Sequence, residues 1–588
     1  VEPTIVGELT ADGSHIVLIA AGDDAVAIAG VAQQLQFLTP LVQSSTPPGA
    51  VVLATSWPAV AQLAHTYGAA WRPQPRLHAW IKRETLRRTQ LPAELTAPVP
   101  EGLTPRPYQV RGALMIASVG SALITDEPGT GKSVTTILGL KEIGLSGPVV
   151  VVAPASVVDP WVEHFRTWAP EWRAVAWRGA PQRRCALAGT ADVYVVSYDT
   201  ARMDAQADRG PHGGRRALLD LCPAAVVVDE HHLIKSPHAA RSHAVRRLAK
   251  HAGTVIALSG TPITHHPADL WSTLVALNHD AWPSRERWVR RYCLTALSDY
   301  GEQILGLNPH YEPEFRTALL GQHRRVAKAD VLDQLPPKVY SVRTVEMPAA
   351  YRKAYDQMET DMLAELPDGT ELSVMSVLAQ LTRLSQLASA AADVEVTHEL
   401  GADGEERTHY HVTLKAPSWK VGALLEVLDE RPGEPVVAFA PSRQLMRLAG
   451  ALAEKAGYHV GYIVGGQTMA ERTATIAAFQ AGKLDLICAT TGAGGVGITL
   501  TAARTVVFLQ RPWSLVEALQ AEDRLHRIGA EKHDSIEVID IVAANTIDTR
   551  VRAVLREKAG QLADLVQDKR IVAELLGGAS VKKLRKAS

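Results

Sequence analysis

Cysteine is scarce: the 588 residues hold only Cys185, Cys222, Cys293 and Cys488, and no two of them stand close together. That spacing suggests neither a zinc site nor a disulfide framework, and isolated reduced thiols in a cytosolic protein are the expectation. No uninterrupted apolar stretch reaches the length that spans a bilayer, so no membrane segment is expected. The opening residues VEPTIVGELTADGSH lack a basic segment followed by an apolar run, so no secretory leader is expected. Excess charge is also missing. Sixty-one Lys and Arg face 62 Asp and Glu, a formal net charge of -1. A passive nucleic-acid coat shows its footprint in bulk positive charge, so the balance counts against that class. A local basic groove stays compatible with it, because phosphate contact needs only a local excess of Lys and Arg. No low-complexity tract interrupts the chain.

What remains is ordinary globular composition, 46% hydrophobic and 21% charged, in a chain long enough for several cored domains. Residues 1–100 read as a small accessory α/β unit. IVGEL and HIVLIA flank Ala11-Asp12-Gly13-Ser14 as a hairpin. Asp24 is placed to cap the helix AVAIAGVAQQLQFL, VVLAT reads as a strand, and Ser56 is placed to cap a second helix. The Pro-rich stretch LPAELTAPVPEGLTPRP closes the unit, which carries no chemical motif.

From 104 to 280 the pattern changes to short apolar runs separated by helical stretches: SALIT, PVVVVAP, DVYVVSY, AAVVVDE and TVIALSG. Continuous apolar strands between helices predict a parallel sheet covered on both faces. Residues 416–546 repeat the grammar with PVVAFA, HVGYIVG, LDLICAT, TVVFLQ and IEVIDIV. Two α/β lobes are therefore expected on either side of a helical region, 281–415, whose polar stretch ELGADGEERTHYH is expected as an exposed loop. Residues 547–588 are expected to form a helix and a short basic tail, VKKLRKAS, frayed in solvent.

The strongest motif is Asp126-Glu127-Pro128-Gly129-Thr130-Gly131-Lys132-Ser133, between the strand SALIT and the helix SVTTILGLKEIG. Glycines there let backbone N–H groups close on phosphates, and the helix start adds positive potential. Gly129, Thr130 and Gly131 form the cradle. Lys132 is placed to contact β- and γ-phosphates of ATP, and Ser133 to give a hydroxyl to Mg2+. The strict template has glycine where Asp126 stands, so this is a variant loop. A chance Gly-Lys-Ser turn is the competing reading. The second motif, VVVDEHH, ends a buried strand on Asp229 and Glu230. A carboxylate at the C-terminal edge of a parallel strand faces the nucleotide crevice. Asp229 is the candidate second Mg2+ ligand, and Glu230 the candidate for orienting and deprotonating water.

Asp229-Glu230-His231-His232 resembles the DExH box of superfamily-two helicases, and the fuller set resembles their Swi/Snf branch. LTPRPYQVRG resembles the family's opening segment, in which Gln109 would read the adenine edge. VVVVAPASVVDPWVEHFRTW resembles the motif that touches the tracked strand, and LSGTPITHHPADLW the motif that couples nucleotide to nucleic acid. HRRVAKADVLDQLPPK is similar to a segment between the lobes, and LTRLSQLAS with SWK to the entrance of the second lobe. VGGQTMAERTATIAAFQ matches the family pattern at Gly466, Arg472 and Phe479. ATTGAGGVGITLTAARTVV, with Gly497, resembles motif five. QAEDRLHRIG resembles motif six, where Arg524 and Arg527, three apart on one expected helix face, would act as arginine fingers supported by Gln520 and Asp523. The resemblance covers roughly residues 104–570. Ser133 replaces a commoner threonine, His231 an alanine and Thr499 an asparagine, and Leu509–Leu515 departs from an acidic, Trp-Asn-Pro segment.

The resemblance implies two RecA-like P-loop lobes and an ATP- and Mg2+-dependent motor that moves along double-stranded DNA, remodelling protein–DNA complexes or branched DNA. It places the protein in the cytoplasm of a bacterial or phage-infected cell, at the nucleoid. Arg324, Arg325 and Lys328 are candidate phosphate-backbone contacts, a solvated charged helix being the other reading. Three rivals stand beside it: a DExH RNA helicase, a non-catalytic DNA-binding scaffold, and an effector subunit recruited to a protein partner through residues 1–100.

Overall fold

The computed structural model describes residues 3–35, 49–206, 216–260, 267–279, 281–282, 284–298, 301–319, 322–332, 334–364, 374–400, 406–494 and 498–553. Gly497, the tail VKKLRKAS and most of the expected final helix lie outside the described residues. The chain divides into two compact units between Val331 and Leu332.

The first unit opens with a four-stranded sheet in the order Gly49–Leu53, His15–Ala21, Thr4–Leu9, Ala70–Pro73. Thr4–Leu9 and His15–Ala21 pair antiparallel as a hairpin. In its turn Asp12 Oδ1 accepts from Thr10 Oγ1 at 2.6 Å and from the Ser14 amide at 3.1 Å. Alternating residues Ile5, Ile16 and Leu18 are buried beneath the helices Ala25–Leu35 and Trp57–Thr66. Asp24 caps the first helix, its Oδ1 accepting from the amides of Val26 (2.9 Å) and Ala27 (3.1 Å). Ser56 precedes the second helix without a side-chain capping bond; a single 3-10 turn, Ala54–Ser56, leads in, and Pro58 occupies the first turn, where its fixed φ suits a helix start. This small sheet docks on the rest of the unit through Tyr67 and Tyr311, whose hydroxyls lie 3.0 Å apart, and through Arg291 Nη1, which donates to Gln34 Oε1 at 2.7 Å.

The larger sheet of the first unit has seven strands, all parallel. From edge to edge they are His323–Arg324, Ala122–Ile124, Thr254–Leu258, Ala225–Asp229, Val149–Ala153, Val193–Ser197 and Ala174–Trp177. Val149–Ala153 and Thr254–Leu258 are buried at every residue, as continuous apolar runs require when helices cover both faces. The second unit carries a six-stranded parallel sheet in the order Lys338–Val345, Ile536–Ala543, Thr505–Phe508, Val436–Ala440, Leu486–Thr490, Val460–Ile463. Separate apolar clusters, around Leu445 and Met446 on one side and Phe439, Phe479 and Phe508 on the other, pack its two faces. Both lobes thus have the α/β, RecA-like architecture expected of them.

The region between them is less helical than expected. Cys293–Ser298 pairs with Gly301–Leu307, and Ala391–Leu400 with Glu406–Lys415, in two antiparallel hairpins. The stretch ELGADGEERTHYH, expected as a loop, falls largely on the second hairpin, and only residues 401–405 of it lie outside the described residues. On that hairpin Glu395 stands opposite His411 and Val394 opposite Val412. Opposite charges and β-branched residues across strands favour pairing as much as apolar alternation does.

One buried charge ties the second unit together. Lys420 is fully buried, with Nζ 2.5 Å from Asp548 Oδ2 and donating to the Leu509 carbonyl at 2.9 Å. It joins the helix Trp419–Asp429, the end of the strand Thr505–Phe508 and the turn after Ile536–Ala543. Removing one member of a buried pair leaves the other charge uncompensated, so Lys420→Ala should cost the second unit about 3–5 kcal/mol, read as a lower denaturation midpoint.

Candidate functional site

Three neighbouring strands end level with one another. Leu258 pairs with Ile124 on one side and with Asp229 on the other. The residues that leave this edge are therefore Thr125, Glu230 and Ser259, and the three segments that carry the sequence motifs emerge side by side. The loop at 125–131 turns through Gly129 (φ 88°) and Gly131 (φ 82°), left-handed conformations that cost a glycine nothing. The helix Lys132–Ile143 follows, and no side chain caps its first N–H groups. Uncapped amides at a helix start suit a phosphate. Ser133 is its second residue, half-buried. Lys132 Nζ donates to the carbonyls of Asp126 (2.8 Å) and Glu127 (3.3 Å), which holds the ammonium over the loop.

The segment before the loop braces it from below. Tyr108 Oη and Gln109 Nε2 both donate to the Thr130 carbonyl, at 2.8 and 3.0 Å, and Gln109 Oε1 accepts from the Arg106 amide at 2.9 Å. Gln109 is 4% exposed. Its amide, expected to read an adenine edge, is engaged at both ends by the protein. A Cβ on Gly131 would lie 2.3 Å from Gln109 Nε2, so this contact also requires the glycine.

Asp229 and Glu230 sit next to each other, both partly buried. Trp161, in the helix Val158–Trp168, donates its indole N–H to Asp229 Oδ2 at 2.8 Å, and Tyr198 Oη donates to the Asp229 carbonyl at 2.6 Å. Trp161 lies in the segment expected to touch the tracked strand, and its partner stands 68 residues further along the chain. Burial, and secondarily the charge of Glu230, pushes the Asp229 carboxyl up to about 6. Glu230 has φ 53°, a left-handed conformation that a non-glycine residue holds only under constraint from its surroundings. Its Oε2 accepts from Ser259 Oγ at 3.2 Å and lies 3.3 Å from His232 Nδ1. His232 Nδ1 is also 3.2 Å from Ser259 Oγ, closing a triangle between two motifs. His231 is buried beside Thr273 (3.0 Å), and burial holds its imidazole near a pKa of 3, neutral at ordinary pH. The residues expected to hold magnesium, Ser133 and Asp229, would offer oxygen donors, the ligand type that cation takes.

In the second unit the helix Leu515–Glu522 ends before the two candidate arginines. Arg524 and Arg527 lie in the turns beyond it, not on one helix face. They converge on a backbone atom: Arg524 Nη1 and Arg527 Nη1 approach the Ile498 carbonyl at 3.5 and 2.9 Å, and Arg527 Nη1 reaches Thr499 Oγ1 at 2.9 Å. Motifs five and six are thus joined, through the threonine that replaces the family's asparagine. Gln520, in that helix, and Asp523, its C-cap, are both buried. Lys338 binds Glu522 (3.2 Å) and Asp523 (3.3 Å), and Arg511 binds Glu522 (2.7 Å) and Asp540 (2.7 Å), a charge network that sequence spacing did not disclose. Of the candidate backbone contacts, Arg324 and Arg325 turn their guanidinium groups toward the loop at 125–131 within the first unit, and the Lys328 amide donates to Glu127 there.

A family model for the SNF2-related domain matches residues 36–391, and one for the helicase conserved C-terminal domain matches residues 419–529. A Bacillus subtilis protein named putative ATP-dependent helicase/translocase YwqA is 27% identical over 498 residues, covering 82% of this chain and 51% of the relative. The human DNA annealing helicase and endonuclease ZRANB3 is 25% identical over 472 residues, covering 77% of this chain and 40% of the relative. The chain spans about half or less of the length of these curated relatives. A solved Sulfolobus solfataricus SWI2/SNF2 ATPase core in complex with dsDNA shares 21% identity, covers 82% of this chain and 97% of its own, and superposes with a TM-score of 0.35. No helix among the described residues is long and apolar enough to cross a membrane.

Because a protonated carboxyl is a poor metal ligand, divalent-cation binding should be flat above about pH 6 and weaken roughly tenfold per unit below it. Trp161→Phe removes a donor that favours the ionised form, so the break should move to higher pH. Manganese binding followed by electron paramagnetic resonance across that range checks both; a pH-independent affinity would contradict them.

Proposed function

The chain belongs to the SNF2-related family of helicase-like ATPases, and from that premise we propose that it is an ATP-dependent translocase on double-stranded DNA. The observation that carries the ATPase reading is the level ending of three parallel strands. It sets the glycine loop, Asp229–Glu230 and Ser259 side by side. Gly129, Thr130, Gly131, Lys132 and Ser133 bind the phosphates of ATP as substrate. Ser133 and Asp229 would hold magnesium, which would supply charge neutralisation for the phosphates. Glu230 orients the attacking water and takes its proton, with Ser259 and His232 fixing the carboxylate. Arg524 and Arg527 stabilise the charge on the transferring phosphoryl, with Gln520 and Asp523 positioning them.

Translocation follows if the two lobes alternate between tight and loose grips on a phosphate backbone as the nucleotide changes. Ser259 is suited to report that change, because it bonds the catalytic carboxylate and begins the segment toward the expected nucleic-acid motif. Backbone contacts carry little sequence information, which suits movement over any sequence. A relative named a DNA annealing helicase supports branched DNA as a further substrate. Residues 1–100, docked on the first lobe through Tyr67 and Gln34, are the proposed site of a protein partner.

ATP hydrolysis measured with duplex DNA, single-stranded DNA and RNA tests the proposal. Duplex DNA should stimulate most, and Glu230→Gln should lower the rate by about 100-fold or more while leaving ATP binding in place. Stimulation by RNA alone would favour the RNA-helicase reading, and hydrolysis without any nucleic-acid dependence would remove the translocase.

A further inference from the structure

The glycine loop departs from the strict phosphate-binding template at its first position, where Asp126 stands. Asp126 is 1% exposed, an expensive place for a carboxylate unless a cation shares it. That cation is Arg324, whose Nε lies 3.3 Å from Asp126 Oδ1, with the arginine side chain itself 10% exposed. Space for the guanidinium is provided by Gly112 in the helix Pro107–Val119: a Cβ there would lie 2.3 Å from Arg324 Nη1.

The next residues repeat the pattern. Arg325 Nη2 lies 3.7 Å from Glu127 Oε1 and its Nη1 donates to the Thr125 carbonyl at 3.3 Å. The Lys328 amide donates to Glu127 Oε2 at 2.8 Å, and His323 Nε2 meets Thr125 Oγ1 at 2.8 Å. The backbone runs alongside as an edge strand and continues past the strand's end. The amides of Leu123, Thr125 and Glu127 donate to the carbonyls of Gln322 (2.7 Å), Arg324 (2.8 Å) and Val326 (3.0 Å). The segment 322–328 therefore grips the glycine loop by both main chain and side chain as far as Glu127. The carbonyls of Asp126 and Glu127, whose side chains this strap holds, are the same two that receive Lys132 Nζ.

We infer that Arg324 and Arg325 are positioning residues for the nucleotide site, holding Asp126 and Glu127 so that the loop keeps the shape that presents Lys132 and its backbone amides to phosphate. They are not backbone contacts for nucleic acid. This rests on the ATP-binding reading above. The arginines touch no phosphate themselves; their effect reaches the nucleotide through the loop.

The test uses the full chain with Arg324→Gln, Arg324→Lys and Arg325→Gln. ATP and ADP binding is followed by calorimetry, and duplex-DNA binding by anisotropy across a salt series. Thermal melting accompanies each variant. Arg325→Gln leaves the buried Asp126–Arg324 pair intact, so it keeps the question open to an answer if Arg324→Gln does not fold. Loss of a charge-assisted contact to the loop should weaken ATP and ADP binding by about tenfold or more. Arg324→Lys, which keeps the charge, should recover part of that loss, and duplex affinity and its salt slope should stay as in the unaltered chain. Unchanged nucleotide affinity in a folded Arg325→Gln protein overturns the inference. So does a salt slope flattened by about one with nucleotide binding intact, which would return these arginines to the DNA backbone. If the unaltered chain binds no ATP, the nucleotide reading itself falls, a failure separate from that of the strap.

Discussion

The register between Thr254–Leu258 and its two neighbours is the constraint from which the first unit's chemistry follows. Parallel hydrogen bonding fixes where each strand stops. Because Ile124, Leu258 and Asp229 are aligned, the loops that follow must begin at one level on one edge. A slip of one residue would turn every side chain on a strand to the opposite face and separate Glu230 from Ser259. The sheet tolerates no such slip, since its central strands are buried along their whole length. Apolar burial, which is not directional, thereby enforces the placement of polar groups, which is.

The cost of that placement is concentrated at the edge. Two carboxylates adjoin each other at Asp229 and Glu230 and a third, Asp126, is buried nearby in the sequence motif before them. Water would solvate them in an unfolded chain; here neighbours replace it. Trp161 donates to the Asp229 carboxylate, Ser259 and His232 attend Glu230, and Arg324 shares the site of Asp126. Burial nonetheless wins at Asp126 and Asp229, whose carboxyls both lie above the usual range. The left-handed φ at Glu230 belongs to the same economy of constraint: strain kept locally and held by packing all around it.

The second unit organises its charges differently. Arg511, Lys338, Glu522, Asp523 and Asp540 form a continuous buried network under motif six. It anchors the edge strand Lys338–Val345 and the helix Leu515–Glu522 to each other. The candidate arginines come after this anchor. Their approach to the Ile498 carbonyl ties them to motif five, so a change at one motif is mechanically felt at the other.

Sequence alone determined the order of the motifs, the two parallel lobes, the hairpin at Asp12–Gly13 and the cap at Asp24. Each of these is local: periodicity, a glycine turn or a capping side chain acts within a few residues. It also placed the residues from Gly129 to Ser133 between a strand and a helix, and the pair Asp229–Glu230 at a strand's end. It did not disclose that Trp161 holds Asp229, that Arg324 answers Asp126, or that Lys338 binds motif six. It expected a loop where a β-hairpin forms, and a helix through Arg524 and Arg527 where turns follow Glu522. The contacts of Trp161, Arg324 and Lys338 join segments far apart in the chain. Such contacts depend on which strands become neighbours and in what register, a choice made by burying the whole sheet rather than by any residue's nearest companions in sequence.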